Sequence, residues 1–190
     1  MKFLLLNGTL KVDSELSNTF TLCQMVKAGF EALGHECELV TLSEMEYKRS
    51  TDDVKDDLQP VIQKMFSVDG LIFATPIWWG GHSSYIQTII ERMDFIETFG
   101  FEQDYKPFYG KVFGTVVAGG GDGFQHIHGV NYNFATMLGF TVPPQCNIES
   151  ATQGRDKILK DEIPKPGSYR GRINNEPENG RKTLMDLKNA

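Results

Sequence analysis

The 190-residue sequence has only three cysteines and no apolar run near the ~20 residues that a membrane-spanning helix needs. Cys23, Cys37 and Cys146 are odd in number and far apart, so we expect reduced structural thiols and no disulfide framework. The apolar run at residues 3–6 is too short for the core of a signal peptide. We therefore expect a cytoplasmic protein with no membrane partner.

Basic residues are also scarce: 19 Lys and Arg face 25 Asp and Glu, giving a net charge of −6. A surface that binds nucleic acid is basic, so we expect no nucleic-acid partner. The 40% hydrophobic and 23% charged residues are ordinary for a globular protein. At this length the composition predicts a single domain spanning residues 1–190.

Short apolar runs alternate with amphipathic stretches along most of the chain. The predicted strands are residues 3–6, 37–40, 71–74 and 112–118, with a fifth inside 140–148, and the predicted helices are residues 17–33, 58–66, 83–95 and 125–138. Pro143 and Pro144 make the fifth strand an edge or interrupted strand. Residues 149–175 form a loop-rich excursion, and a terminal helix is predicted at residues 178–187.

This alternation predicts a three-layer, doubly wound α/β fold with a parallel five-stranded sheet. The flavodoxin-like strand order 2-1-3-4-5 fits best. In such a sheet the ligand lies outside the carboxyl ends of the strands, beside the first strand. That rule selects residues 8–17, 76–82 and 119–124, and all three segments have an unusual composition.

The first of these segments is a polar loop that leads into the first helix. Its candidate ligands carry hydroxyl, amide and ammonium groups: Thr9, Lys11, Ser17, Asn18 and Thr19. Free N–H groups and the dipole at a helix start favour an anion, and this donor set suits a monophosphate. The loop lacks the ending of a Walker A sequence and the spacing of a dinucleotide fingerprint. The alternative is that these residues only cap the helix.

The other two segments combine tryptophan with glycine. Their candidate residues are Pro76, Ile77, Trp78, Trp79, Gly80 and Gly81, followed by Gly119, Gly120 and Gly121. Exposed rings can stack on a flat ligand, and glycines let the backbone approach it closely. The alternatives are a dimer interface for the tryptophans and a flexible turn for the later glycines.

Three motifs resemble the NADPH-dependent FMN reductases of the flavodoxin-like superfamily. Residues 8–11 with Ser17-Asn18-Thr19 are similar to the family's phosphate motif, and residues 75–80 with Ser83-Ser84 to its isoalloxazine loop. Residues 118–121 are similar to its glycine-rich loop, so the resemblance covers about residues 1–148. Lys11 stands where arginine is usual and contacts phosphate as a point charge. The chain lacks the clustered cysteines of the iron–sulfur relatives.

The resemblance implies an FMN-dependent NAD(P)H oxidoreductase that uses NADPH or NADH as electron donor. It implies electron transfer to a quinone, flavin or other small aromatic acceptor, in a homodimer or tetramer. We expect this transfer to be ping-pong, because the two loops would leave one face of the flavin open, wide enough for the nicotinamide or the acceptor but not for both together. The candidate residues named above would bind FMN. No catalytic side chain is predicted, because the flavin carries the electrons and water can supply protons. The alternative is a flavodoxin-type electron carrier or a flavin-dependent regulator without turnover.

The remaining polar candidates carry weaker predictions. His126 and His128 are two residues apart on a helix, so they face different sides and no metal site is expected. His82, in the second loop, either faces a substrate or is a solvated loop histidine. The acidic residues at the start of the second helix are predicted to be solvated: Asp52, Asp53, Asp56 and Asp57.

Overall fold

The computed structural model describes residues 1–13, 16–49, 55–96, 107–120, 122–151 and 172–174. Its strands are β1 (Lys2–Asn7), β2 (Glu36–Thr41), β3 (Gly70–Pro76), β4 (Val112–Gly119), β5 (Asn147–Ala151) and β6 (Arg172–Asn174). The helices within those ranges include α1 (Asn18–Ala32), α2 (Leu58–Met65), α3 (Ser84–Arg92) and α4 (Phe124–Met137), with a 3-10 turn at Leu42–Glu44. None of the described helices is both long and apolar enough to cross a membrane.

The strands form one parallel sheet in the order β2-β1-β3-β4-β5-β6. The predicted doubly wound fold and the order of its first five strands are therefore confirmed. The sheet also has a sixth strand: β6 pairs with β5, with Ile173 opposite Ser150. β6 lies inside the segment that the sequence predicted to be a loop-rich excursion.

Apolar side chains cover both faces of the central strands, as a parallel sheet between two helical layers requires. Leu4 of β1 and Phe73 of β3 pack on one side with α2, α3 and α4, in a cluster that also holds Ile86. Leu5 and Ile72, the neighbours of those strand residues, pack on the other side with α1. The alternation follows from the two-residue period of a strand.

Two helices begin directly after serine residues whose side chains cap them, and a glycine follows the end of α1. The hydroxyl of Ser17 accepts a hydrogen bond from the Phe20 N–H (3.3 Å) at the start of α1. Ser83 caps α3 in the same way through the Ile86 N–H (3.5 Å). Gly34, just beyond α1, has φ +76°, the left-handed conformation that glycine adopts at little cost.

The fifth strand and the acidic residues differ from their predictions. β5 begins at Asn147, after the turn at Pro144 and Gln145, and β6 pairs with its outer side, so it is not an edge strand. The side chain of Asp56 is 8% exposed, so the prediction that it is solvated was wrong. Asp57 is exposed, whereas Asp52, Asp53 and the predicted terminal helix at 178–187 lie outside the described residues.

The physical reason for the Asp56 result lies on α3. Arg92 is only 4% exposed, and a buried guanidinium requires an acidic partner. Two hydrogen bonds join them: Arg92 Nη1 donates to Asp56 Oδ2 (2.9 Å) and Nη2 to Oδ1 (3.2 Å). The backbone N–H groups of Lys48 and Leu58 also donate to this carboxylate, both at 3.1 Å. Asp56 therefore joins the start of α2 to the end of α3.

Candidate functional site

The candidate site lies at the carboxyl edge of the sheet, where β1, β3 and β4 end. In the strand register Asn7 is opposite Ala74, and Pro76 is opposite Ala118. The loops that follow these three strands therefore start side by side. This is the edge at which a doubly wound sheet binds its ligand.

Asn7, the last residue of β1, fixes the start of the first loop. Its side chain is fully buried; Oδ1 accepts from the Thr9 N–H (3.2 Å) and Nδ2 donates to Thr41 Oγ1 (3.3 Å). A Cβ on Gly8 would lie 2.7 Å from both Ile86 Cγ1 and Ser83 Oγ, so only glycine lets the chain pass so close to α3. Asn7 was not among the predicted site residues, although a polar residue at the end of an apolar strand is a signal that the sequence carries.

The structure brings the predicted phosphate-loop residues together at the start of α1. Ser17 Oγ donates to Thr9 Oγ1 (2.7 Å), and both side chains are buried. Thr9 Oγ1 also accepts from the Lys11 N–H (3.3 Å), while Lys11 Nζ donates to the Leu16 carbonyl. Among the predicted residues at the helix start, Asn18 is half-buried and Thr19 is buried. The loop is thus held by hydroxyl groups and one exposed lysine.

The second loop is a tight hairpin at the end of β3. The N–H of Trp78 donates to the Gly81 carbonyl, and the N–H of Gly81 donates to the Trp78 carbonyl, both at 2.9 Å. Trp79 has φ +50° and Gly80 has φ +78°, which is the pattern of a type I′ turn. The Ile77 N–H anchors the hairpin to the Ala118 carbonyl of β4 (3.0 Å).

Both tryptophans of this hairpin are exposed. Trp79 is 101% exposed and Trp78 is 51% exposed. A left-handed conformation is unfavourable for a residue with a large side chain. The Trp79 ring therefore stands in solvent on a backbone that glycine would adopt more easily.

Glycines bring the second and third loops into contact. A Cβ on Gly123 would lie 2.6 Å from Gly80 Cα, and a Cβ on Gly119 would lie 2.8 Å from Ile77 Cβ. Gly120 is exposed and has open space around it, whereas Gly121 lies outside the described residues. Gly123 was not among the predicted site residues. Its position at the end of the glycine run, just before α4, is the signal that could have identified it.

A largely buried polar network joins β4, α4 and β5. Thr115 Oγ1 is 2.7 Å from His128 Nδ1 and 3.1 Å from the Tyr132 hydroxyl. His128 Nε2 is 3.1 Å from Glu149 Oε1. His126 is exposed, so the two histidines face different sides of α4, as predicted. No cluster of three potential metal ligands occurs in the part of the chain that the structure describes.

The cysteines carry no sign of reactivity. All three are free thiols, and Cys23 and Cys37 are buried. Burial raises the pKa of the Cys37 thiol to about 11, and it raises the pKa of Cys23 and Cys146 as well. At neutral pH the thiolate, which is the nucleophilic form, is therefore scarce. The reduced structural thiols predicted from the sequence agree with this.

Comparison with known proteins gives one family. Residues 1–153 match the sequence profile of the family described as NADPH-dependent FMN reductase. The chain is 30% identical over 156 residues to the 8-demethyl-8-aminoriboflavin-5'-phosphate synthase of Streptomyces davaonensis, covering 76% of this chain and 61% of that enzyme. It is 28% identical over 101 residues to an iron-sulfur flavoprotein of Archaeoglobus fulgidus, covering 48% of each.

Solved structures agree with this assignment. The crystal structure of RosB with bound 8-demethyl-8-formylriboflavin-5'-phosphate has a TM-score of 0.68 and 28% identity, covering 78% of this chain and 64% of that one. The Trp repressor binding protein of Bacillus subtilis, at 20% identity and TM-score 0.62, shares the fold. The flavodoxin-like sheet, the three loops at its carboxyl edge and the profile match over residues 1–153 lead to one conclusion: the chain belongs to the NADPH-dependent FMN reductase family.

Proposed function

We propose that this protein binds FMN and is an NAD(P)H-dependent oxidoreductase. It would pass electrons by ping-pong to a quinone, flavin or other small aromatic acceptor. The observation that carries the proposal is Trp79, a fully exposed tryptophan held at φ +50° beside the contact between two glycine-rich loops. An exposed ring and a strained backbone do not stabilise the fold. Residues with strained backbones cluster at functional sites, and exposed apolar surface often marks a binding site.

The first loop fits the phosphate of FMN by its chemistry. Ser17, Thr9 and Lys11 offer two hydroxyls and an ammonium group at a helix start. The N–H groups of the first turn of α1 and its dipole favour an anion at the same place. The lysine would contribute charge without the two-pronged geometry of an arginine.

The second and third loops fit the isoalloxazine ring. The close contact between Gly80 and Gly123 leaves no side chain at that point, so the two backbones could present N–H and carbonyl groups to a flat ligand. The Trp78 and Trp79 rings add apolar surface for stacking. The bound riboflavin phosphate in RosB supports a ligand of this class. In our proposal residues 76–81 and 119–121 hold the ring system.

The protein's part in the reaction would be binding and orientation. Bound FMN supplies the redox chemistry, because it can accept two electrons from a reduced nicotinamide and return them to an acceptor. The hairpin at Trp78–Gly81 would fix one edge of the ring and leave one face for substrates. If that face admits one flat molecule at a time, the nicotinamide must leave before the acceptor enters. Hydride transfer between nicotinamide and flavin needs no side-chain acid or base.

Steady-state kinetics test this proposal directly. Initial rates over a grid of NADPH and quinone concentrations should give parallel double-reciprocal lines. Intersecting lines would mean that both substrates bind together, and the single-face arrangement would be wrong. A protein that retains FMN but consumes neither NADPH nor NADH would instead be an electron carrier or a regulator. Gel filtration of the same sample tests the expected homodimer or tetramer.

A further inference from the structure

Three side chains form a hydrogen-bonded line that begins just before α3 and runs along it. His82 Nε2 lies 2.7 Å from Gln87 Oε1, and Gln87 Nε2 donates to Glu91 Oε1 at 2.9 Å. Gln87 and Glu91 are four residues apart and therefore neighbours on the same face of the helix. We call His82, Gln87 and Glu91 the α3 relay.

The relay fixes which nitrogen of His82 carries a proton. The Glu91 carboxylate can only accept, so the Gln87 amide must turn its NH2 group toward it. The Oε1 atom of Gln87 then faces His82, and this atom also can only accept. His82 Nε2 must therefore be the donor, and Nδ1 is the nitrogen left to exchange a second proton.

The backbone on both sides of His82 is fixed beside the candidate site. Gly81 closes the tryptophan hairpin through its two hydrogen bonds with Trp78. Ser83 caps α3, is 1% exposed, and its N–H donates to Thr75 Oγ1 (2.8 Å). His82 itself is half-buried. His82 thus directly follows the tryptophan hairpin of the proposed flavin site, and its Nε2 atom is tied to the relay.

We propose that His82 donates a proton to the acceptor when that acceptor is a quinone. Quinones take up protons together with electrons. This inference rests on the proposed function. Gln87 and Glu91 are positioning residues that hold the imidazole. Water was the proton source expected from the sequence; His82 would be a source on the protein itself.

The proton transfer is coupled to reduction of the quinone. A hydride equivalent that originates from NAD(P)H reaches the quinone, whose oxygen gains the negative charge. The N–H bond at His82 Nδ1 breaks, an O–H bond forms on that oxygen, and water returns a proton to the imidazole. The sum is NAD(P)H, a proton and a quinone giving NAD(P)+ and a hydroquinone. Ferricyanide accepts single electrons and no proton, so it bypasses the step.

The experiment compares two acceptors on the FMN-loaded protein. For wild type and His82→Asn, NADPH-driven turnover is measured with a benzoquinone and with ferricyanide, and the ratio of the two rates is reported. General acid catalysis contributes about 10²–10⁴-fold, so we expect the ratio to fall at least tenfold in His82→Asn. Gln87→Leu should lower the ratio by a smaller factor. His126→Asn, which removes an exposed histidine on α4, is the matched control and should leave the ratio unchanged.

Rescue and folding controls separate the possible failures. In His82→Ala, imidazole in the buffer should restore the quinone rate selectively. Bound FMN and the melting temperature are measured for each variant, and His82→Gln serves if His82→Asn does not fold. A ratio that stays within twofold of wild type in the folded His82 variants would overturn the role of His82 while the proposed function stands. Wild type that oxidises NADPH with neither acceptor would overturn both.

Discussion

At the scale of single residues, Trp79 shows how the site and the stability of the fold can oppose each other. Its ring is fully exposed and its φ is +50°, so the side chain adds no packing and the backbone is strained. We expect Trp79→Gly to raise the free energy of unfolding of the ligand-free protein by about 0.5–1 kcal/mol while weakening FMN binding. Urea denaturation and fluorescence titration with FMN measure the two effects.

Gln145 is the matched control for that prediction. It also has a positive φ, +63°, but it lies in the turn before β5 and not in the three loops. Gln145→Gly should give a similar gain in stability and leave FMN affinity unchanged. If Trp79→Gly binds FMN as tightly as Gln145→Gly does, the tryptophan is not part of the binding site.

At the scale of secondary-structure elements, the pair Asp56–Arg92 couples α2 to α3. Arg92 holds the pKa of the Asp56 carboxyl below its ordinary 3.8, helped by the Lys48 and Leu58 N–H groups and opposed by burial. A lowered pKa means that the ionised form stabilises the fold above the ordinary pKa, and that this stabilisation is lost as pH falls through the folded-state value. Asp56→Asn replaces the carboxylate that accepts two hydrogen bonds from the buried Arg92 with a neutral amide, so it should cost roughly 3 kcal/mol at pH 7.

The pH dependence of that loss is the decisive measurement. The free energy of unfolding of wild type and Asp56→Asn is compared from pH 7 downward. The difference should begin to shrink as pH falls through about 4, the ordinary pKa, and should vanish only below the lowered pKa of the folded-state carboxyl. A difference that is independent of pH would mean that shape, and not charge, makes Asp56 important. Asp57→Asn, at the exposed neighbouring position, should have little effect at any pH.

The polar network that joins β4, α4 and β5 supports a second prediction at this scale. Its hydrogen bonds run from Tyr132 to Thr115, from Thr115 to His128, and from His128 to Glu149. Thr115→Val keeps the shape of the side chain but leaves the His128 Nδ1 atom without this partner in a buried place. We expect a loss of roughly 1–3 kcal/mol in unfolding free energy by urea denaturation. A loss under 0.5 kcal/mol would show that the network rearranges freely.

The elements also show what the sequence could predict. β1, β3 and β4 are recognisable because both faces are apolar, and α1 because Ser17 and Gly34 mark its ends. β6 was not predicted, because its three residues have no apolar period and gain their place by pairing with β5. The Asp56–Arg92 pair was missed for a related reason. Its partners are 36 residues apart, and charge alone does not reveal burial.

For the candidate site, the sequence could likewise predict the location but not the detailed geometry. The rule for doubly wound sheets selected the carboxyl edge and composition selected the loops, and the structure shows that these loops start side by side there. Two features required coordinates: the left-handed backbone of Trp79 and the contact of Gly80 with Gly123. Both depend on how separate loops pack, and no local pattern encodes that. The α3 relay likewise became visible only when helical geometry placed Gln87 between His82 and Glu91.

At the scale of the whole molecule, ligand binding should appear as stability. A ligand that binds only the folded state adds about 2.7 kcal/mol when its concentration is 100 times the Kd. For a chain of this size that corresponds to a rise of roughly 5–10 °C in the melting temperature. Riboflavin lacks the phosphate group, so at equal concentration it should raise the melting temperature less than FMN does.

The phosphate loop predicts how one substitution changes that comparison. Lys11→Ala removes the charged donor, and the loss of a charge-assisted hydrogen bond costs roughly 1.5–3 kcal/mol, about ten- to a hundredfold in FMN affinity. The variant should therefore lose most of the difference between FMN and riboflavin in a thermal-shift assay, while its response to riboflavin stays near that of wild type. Lys2→Ala, which removes an exposed lysine at the opposite edge of the sheet, is the control. If FMN and riboflavin shift wild type equally, the phosphate does not bind in this loop. An equal loss of both responses in Lys11→Ala would instead assign Lys11 to the shape of the loop and not to phosphate recognition.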